Sequence, residues 1–164
     1  MDQTSIITLL CISFVVIIVV VANKLIVRRR HSQIAKTVNE FASGLGFEVV
    51  EYEHIAGRII GIDKKSNHLF FIQRSKDIKE CIDLQHVHSC CIDEVARTVK
   101  SGKDTTRVVE KLQLVFIPVD AKKKLPQLVF FDISAGDYAM AGEHGFLERW
   151  TAAINNHLSI TNKR

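Results

Sequence analysis

The feature that most constrains this chain is an uncharged, strongly apolar stretch near its N-terminus. Between Gln3 and Asn23 there is no Asp, Glu, Lys or Arg, a stretch of about 21 residues against the ~20 that cross the hydrocarbon core of a bilayer. Its centre, residues 14–21, is apolar on every side, whereas a helix lying on a membrane surface needs a polar face. The sequence therefore predicts a transmembrane anchor at residues 1–27, with the span at about 4–24.

The charges that flank this stretch predict its orientation. Asp2 precedes the stretch, and Lys24 with Arg28, Arg29 and Arg30 follows it. Positive residues favour the cytoplasmic side, so we expect the N-terminus outside and the C-terminal part in the cytoplasm. A cleaved signal peptide is the competing interpretation, but the chain begins without the positive n-region that such peptides carry. We therefore expect a single-pass signal anchor integral to the lipid bilayer of the cell (plasma or inner) membrane.

The pattern after the anchor predicts one amphipathic helix and one domain. In residues 28–46 a basic start is followed by Ile34, Val38 and Phe41 at helical spacing, and Gly44 and Gly46 favour termination. The remaining residues, 47–160, are enough for one domain of ordinary size.

Short β-like runs separated by polar turns fill most of this domain. Seven strands are predicted, at residues 47–53, 57–62, 68–74, 79–84, 86–98, 106–119 and 127–134. Apolar residues at helical spacing then predict a C-terminal helix at 142–158, with Trp150 in the middle of its apolar stripe. The predicted fold class is mainly β (α+β), and we expect Trp150 to anchor the core.

This order of elements resembles the pleckstrin-homology-like (PH-like) superfold, over roughly residues 47–158. The chain also looks like bacterial membrane-anchored proteins with such a domain, through the runs Leu45-Gly46-Phe47 and Ile82-Asp83-Leu84-Gln85-His86-Val87-His88-Ser89-Cys90. The resemblance implies two near-orthogonal sheets that form a seven-stranded sandwich or open barrel, closed at one end by the helix. It also implies a binding function, since this fold commonly serves recognition.

Basic residues form the first set of candidate site residues. Lipid-binding members of the PH-like family use basic residues around their first hairpin, and the resemblance places Lys64 and Lys65 near it. These and two other clusters are candidates for contact with an anionic inner leaflet, namely Arg28, Arg29, Arg30, Lys122, Lys123 and Lys124. The alternative is that Lys64 and Lys65 only solvate a loop tip. The clusters lack interleaved aromatic residues, so no nucleic-acid partner is predicted.

A second candidate is a metal site in the fifth strand. His86, His88 and Cys90 share one face of a regular strand, because alternate side chains point the same way. Imidazole and thiolate are ligands that zinc and copper accept. A β-bulge would break the alignment, and the alternative is a half-exposed strand with small polar side chains.

The sequence contains no motif for nucleophilic or phosphate chemistry, neither a Gly-x-Ser-x-Gly elbow nor a Gly-rich phosphate loop, so no catalytic residue or cofactor is predicted. Asp132, Asp137 and Glu143 are close enough in sequence to act as an acid–base pair, but we interpret them as loop solvation and first-turn helix charge. Tyr138 and Met140 either contact a partner or cover the helix.

Three functions remain. The leading hypothesis is a membrane-tethered, non-enzymatic protein-interaction module on the cytosolic face, whose sheet edge or loop binds an unknown protein partner. The alternatives are recognition of anionic lipid through the basic residues and metal binding through His86, His88 and Cys90.

Overall fold

The structure, a computed structural model, describes residues 18, 33–49, 51–101, 104–140 and 142–161. The chain divides into two compact units, Met1–Phe41 and Ala42–Arg164. The boundary falls within the first helix, α1, of which residues 33–44 are described. The second unit holds the β domain.

The predicted transmembrane, single-pass signal anchor is contradicted. In the described part of the chain, no helix is long and apolar enough to cross a membrane. The C-terminal helix has 19 residues, but charged and polar side chains occupy one side of it. The predicted span at about 4–24 lies outside the described residues, except for Ile18.

Helix α1 ends where the sequence predicts, at the pair of glycines. Gly46 has a φ of 83°, a left-handed conformation that glycine adopts without steric cost. The Phe47 amide donates to the carbonyl oxygen of Ala42 at 2.9 Å, which closes the helix end. The chain then enters the β domain.

The β domain contains two antiparallel sheets. Sheet A has four strands in the order β1-β2-β3-β4, with bounds Glu51–Ile55, Arg58–Asp63, His68–Gln73 and Ile78–Asp83. Sheet B has three strands in the order β5-β6-β7, with bounds Val87–Ser101, Asp104–Pro118 and Leu128–Asp132. A C-terminal helix, α2, follows at Glu143–Thr161. The prediction of a mainly β domain with a C-terminal helix is confirmed.

The middle strands of sheet A are buried on both faces. All six residues of β2 are buried, and so are five of the six in β3. Phe47 stacks on the His68 ring with centroids 4.1 Å apart. A Cβ added at Gly61 would lie 2.8 Å from Val49 Cγ1, so glycine is needed for this close approach. Residues 47–49 therefore cover part of the sheet by side-chain packing.

A line of aromatic rings connects the two sheets with α2. Phe71 in β3 lies 5.3 Å from Phe130 in β7, and Phe130 lies 5.7 Å from Phe146 in α2. Trp150, one turn further along the helix, has its ring 6.4 Å from Phe146 and is 6% exposed. These four residues belong to one buried apolar cluster drawn from both sheets and the helix. Contacts at these separations favour offset and edge-on ring packing.

One buried ion pair also joins the sheets. Arg58 in β2 is 3% exposed, and its guanidinium pairs with the Asp137 carboxylate in the connection after β7. The same guanidinium donates to the carbonyl oxygens of Val129 at 3.1 Å and Ala56 at 3.2 Å. Asp137 in turn accepts from the Asp132 amide at 2.9 Å. Since every group has a partner, the buried charge of Arg58 is compensated.

Candidate protein-binding edge

Strands β5 and β6 extend well beyond the rest of sheet B. Each is 15 residues long, whereas β7 has five residues and pairs only with Lys111–Leu114 of β6. Residues 96–101 and 104–110 therefore form a two-stranded ribbon. Such ribbons have marginal stability alone, because each strand pairs with the other on one side only and leaves its outer backbone groups unpaired.

The outer edge of β5 is capped at one residue by a side chain of α2. The Asn155 amide nitrogen donates to the Cys90 carbonyl oxygen at 2.8 Å, and its oxygen accepts from the Cys90 amide at 2.8 Å. Asn155 thus forms the two bonds that a neighbouring strand would form. The backbone groups of Cys90 therefore point away from β6.

The alternation of an antiparallel pair extends this orientation along the strand. Every second residue of an edge strand presents its N–H and C=O outward. Counting from Cys90, these are Ile92, Glu94, Ala96, Thr98 and Lys100. Among the described residues, β6 is the only strand that pairs with β5, and no other hydrogen bond reaches these outward groups. Within the described residues, these outward groups therefore have no hydrogen-bond partner over this length.

Side chains on the two faces of β5 differ. On the face that carries α2, Glu94 pairs with Arg107 at 2.8 Å and lies 3.5 Å from His144 of the helix. On the opposite face, Asp93 accepts from Gln113 at 2.7 Å, and Arg97 pairs with Glu110 at 2.8 Å.

Two valines are also exposed along this strand. Val95 is 46% exposed and Val99 is 38% exposed. Val95 lies beside a register shift at Val95/Ala96, and both valines share the face of Asp93 and Arg97. This face therefore combines apolar side chains with charges of both signs.

The predicted metal ligands are not brought together. His86 belongs to a short 3₁₀ helix, Leu84–His86, and His88 lies in the register shift between Val87 and Ser89. Burial, and then the neighbouring Cys91, raise the pKa of the Cys90 thiol to about 12, against a weaker opposing hydrogen bond from Thr151. Metals bind the thiolate. Within the described ranges, no three His, Cys, Asp or Glu side chains are grouped to hold a metal ion.

The structure brings Lys64 and Lys65 together at one cleft. Lys64 and Lys65 line a cleft of about 240 Å³ with His157 of α2, and Lys64 pairs with Glu51. Burial, and then the charge of Lys64, lower the pKa of His157. Lys122, Lys123 and Lys124 are exposed in the connection after β6, and Arg28, Arg29 and Arg30 lie outside the described residues.

A buried carboxylate fixes the loop that carries Lys64 and Lys65. Asp63 accepts hydrogen bonds from the Ser66 hydroxyl at 2.7 Å and from the Lys65 amide at 2.9 Å. Burial alone would raise the pKa of Asp63, but these bonds and those from the Ser66 and Glu48 amides outweigh burial and lower it. Asp63 is therefore a structural turn residue.

The three acidic residues at the end of β7 and in the segment after it have structural contacts. Asp137 pairs with Arg58, and Glu143 is buried in the first turn of α2. Asp132 accepts a hydrogen bond from the Ser134 hydroxyl at 2.6 Å. This bond lowers the pKa of Asp132, although burial alone would raise it. Tyr138 is 97% exposed and Met140 is 40% exposed, so Tyr138 does not cover the helix.

The fold and the site together define a class, a mainly β domain with one long open edge strand. No family model matches the chain, and no curated protein or solved structure is significantly similar to it. A function for this chain is therefore inferred from the geometry of the β5 edge alone.

Proposed function

We propose that this chain is a non-enzymatic protein-interaction module that binds an extended segment of another protein along the outer edge of β5. The observation that carries the proposal is the pairing of Asn155 with Cys90, beside five outward-facing residues with open backbone groups. Binding by addition of a strand to a sheet edge uses these groups for affinity and the alternate side chains for selectivity.

Simple magnitudes indicate what the edge needs from a partner. Pairing from Ile92 to Lys100 adds about ten backbone hydrogen bonds, since each outward residue has one donor and one acceptor. At ~0.5–1.5 kcal/mol each, their sum is comparable to the ~4–15 kcal/mol that association costs. The free energy gained by backbone pairing alone therefore roughly equals the free-energy cost of association. Contacts with Val95 and Val99 decide which segment binds.

We also propose that the domain is of the PH-like type. Its sheets of four and three strands, followed by one C-terminal helix, support this assignment. Trp150 supports it further, because it packs in the cluster shared by both sheets and the helix.

The proposal predicts that Thr98→Pro abolishes partner capture. Thr98 is exposed and its amide points outward, so proline removes one donor and places its ring where a partner strand would lie. The bonds between β5 and β6 come from the alternate residues and are kept. We expect proteins captured by wild type, from a lysate of the source organism, to fall at least ~10-fold, the effect of ~1.4 kcal/mol.

Thr98→Val is the matched control for this experiment. Valine keeps the amide donor and the β-branched shape, so its captured proteins should match those of wild type. Equal capture by Thr98→Pro and Thr98→Val, with both variants folded by circular dichroism, contradicts binding at the β5 edge.

Among the described residues, no contact favours lipid recognition over strand addition. Lys64 is already paired with Glu51, and Lys122, Lys123 and Lys124 lie in a different connection. The cleft beside Lys64 and Lys65 also contains His157, which burial keeps from gaining charge readily. The β5 edge is therefore the better-supported site.

A further inference from the structure

We infer that the strand bound by β5 is β5 of a second copy of this chain, arranged antiparallel about a two-fold axis at Val95. The inference rests on the proposed function, because it names the partner of the same edge. Two identical edges can pair in this way only if the strand is complementary to itself.

The side chains of β5 meet this condition when the axis passes through Val95. Asp93 then lies opposite Arg97 of the second copy, and the symmetry repeats this pair. Val95 lies opposite its own equivalent, and Cys91 lies opposite Val99. Opposite charges and apolar side chains placed directly across two strands stabilise their pairing. All of these residues lie on the face of β5 opposite the side chain of Glu94, which contacts α2.

Neighbouring registers lose this match. An axis at Ala96 places Val95 opposite Arg97 and Asp93 opposite Val99, so charges face apolar groups. An axis at Arg97 places two guanidinium groups against each other, and an axis at Glu94 does the same with two carboxylates. Like charges directly opposite are destabilising. The Val95 register is therefore favoured over its neighbours.

The backbone is compatible with this register. Outward residues must face outward residues, and the axis at Val95 pairs Glu94 with Ala96 and Ile92 with Thr98. The next pair would join Lys100 to Cys90, whose outward groups are already bonded to Asn155. Pairing thus ends where the structure caps the edge.

Existing contacts leave room for these pairs. Arg97 pairs with Glu110 through one nitrogen, and its side chain is 65% exposed. Gln113 donates to one carboxylate oxygen of Asp93, so the other oxygen remains an acceptor. The ion pairs across the axis therefore add to the present ones rather than replace them.

Disulfide crosslinking of the full chain tests this register. In a Cys91→Ser background, Val95→Cys places the thiols of the two copies opposite each other across the axis. In the pairing between the copies, this position is a non-hydrogen-bonded pair. Cα atoms there lie ~4.5 Å apart, within the range that a disulfide bridges. We expect mild oxidation to convert most of the protein to a reducible dimer on a denaturing gel.

Val99→Cys is the matched control, since it is exposed on the same face. In the Cys91→Ser background its opposite residue has no thiol, so we expect little or no reducible dimer. With Cys91 retained, Val99→Cys should crosslink to Cys91 of the second copy.

Equal dimer yields for Val95→Cys and Val99→Cys in the Cys91→Ser background overturn the inference, and so does an absence of dimer from both. If crosslinking fails while Thr98→Pro still loses captured proteins, the edge binds a different chain and only the self-pairing is wrong. If captured proteins are also unchanged by Thr98→Pro, the proposed function fails with it.

Discussion

Replacing Trp150 with Ala is expected to lower the free energy of unfolding of the domain by about 3–5 kcal/mol, the range for large aromatic residues in cores. Trp150 is 6% exposed and packs in the cluster that both sheets share with α2. Its removal opens a cavity at the end of the aromatic line through Phe146, Phe130 and Phe71. A domain typically has only ~5–15 kcal/mol in total, so the loss is a large fraction of its stability.

The free energy of unfolding is measured by denaturant titration followed by far-ultraviolet circular dichroism, which reports the backbone and does not depend on the tryptophan. Asn156→Ala is the control, because Asn156 is exposed on the same helix and surface changes usually fall within ~0.5 kcal/mol. A Trp150→Ala protein whose free energy of unfolding lies within ~0.5 kcal/mol of wild type, like Asn156→Ala, would show that α2 is peripheral to the fold.

The second large effect is expected at the buried ion pair between the sheets. Asp137→Ala leaves the charge of the buried Arg58 with only carbonyl partners. Breaking a fully buried pair in this way costs ~3–5 kcal/mol, and because the Asp137 side chain is 26% exposed we expect a loss toward the lower end of that range. Arg58→Met combined with Asp137→Ala removes the uncompensated charge. We therefore expect the double variant to be less destabilised than the sum of the two single variants, with a coupling of at least ~1 kcal/mol.

The same unfolding measurements give this double-mutant cycle. The exposed pair of Lys79 and Asp77, at 3.5 Å, provides the comparison, since exposed pairs contribute only ~0–1 kcal/mol. Additive effects of Arg58→Met and Asp137→Ala, or a loss as small as that of Lys79→Ala, would mean that the pair does not hold the sheets together.

The strands were predictable because alternation of apolar and polar residues is a local signal. The largest displacement of a predicted boundary, at the start of β1, has a local cause as well. Phe47 and Val49 alternate with Glu48 as apolar and polar residues do in a strand, but Phe47 stacks on His68 and Val49 packs at Gly61 instead of joining a ladder. A segment that packs its side chains on a sheet and a segment that pairs as a strand both need alternate apolar residues. The sequence pattern therefore does not distinguish the two.

The candidate site could be predicted only in part. The sequence indicates a β domain with sheet edges, but not which edge stays open, because that depends on which strands become neighbours. The cap at Cys90 comes from Asn155, 65 residues away, and Asn155 lies among the polar residues of an amphipathic helix. The metal hypothesis required a regular strand, and the turn at His86 and the bulge at His88 break it.

The sequence around Arg58 carries a signal for a buried polar contact. It is a single charge next to the apolar run Ile59-Ile60, and a charge in a buried strand requires a partner. The identity of that partner, Asp137, was not predictable, since it lies 79 residues away. Long-range polar pairs of this kind need the three-dimensional arrangement.

Residue-resolved amide hydrogen exchange along β5 tests the central claim most directly, by comparing the dilute, unpaired protein with the protein bound to a captured partner or, for self-pairing, with the concentrated protein. The amides of Ile92, Glu94, Ala96, Thr98 and Lys100 point outward and should exchange rapidly in the free protein. Binding should protect them, with Lys100 excepted if a second copy binds, because the pairing then ends at Thr98. The alternate amides, already bonded to β6, should change little. Protection that appears elsewhere in the domain and leaves the outward amides unchanged would contradict binding by strand addition at β5.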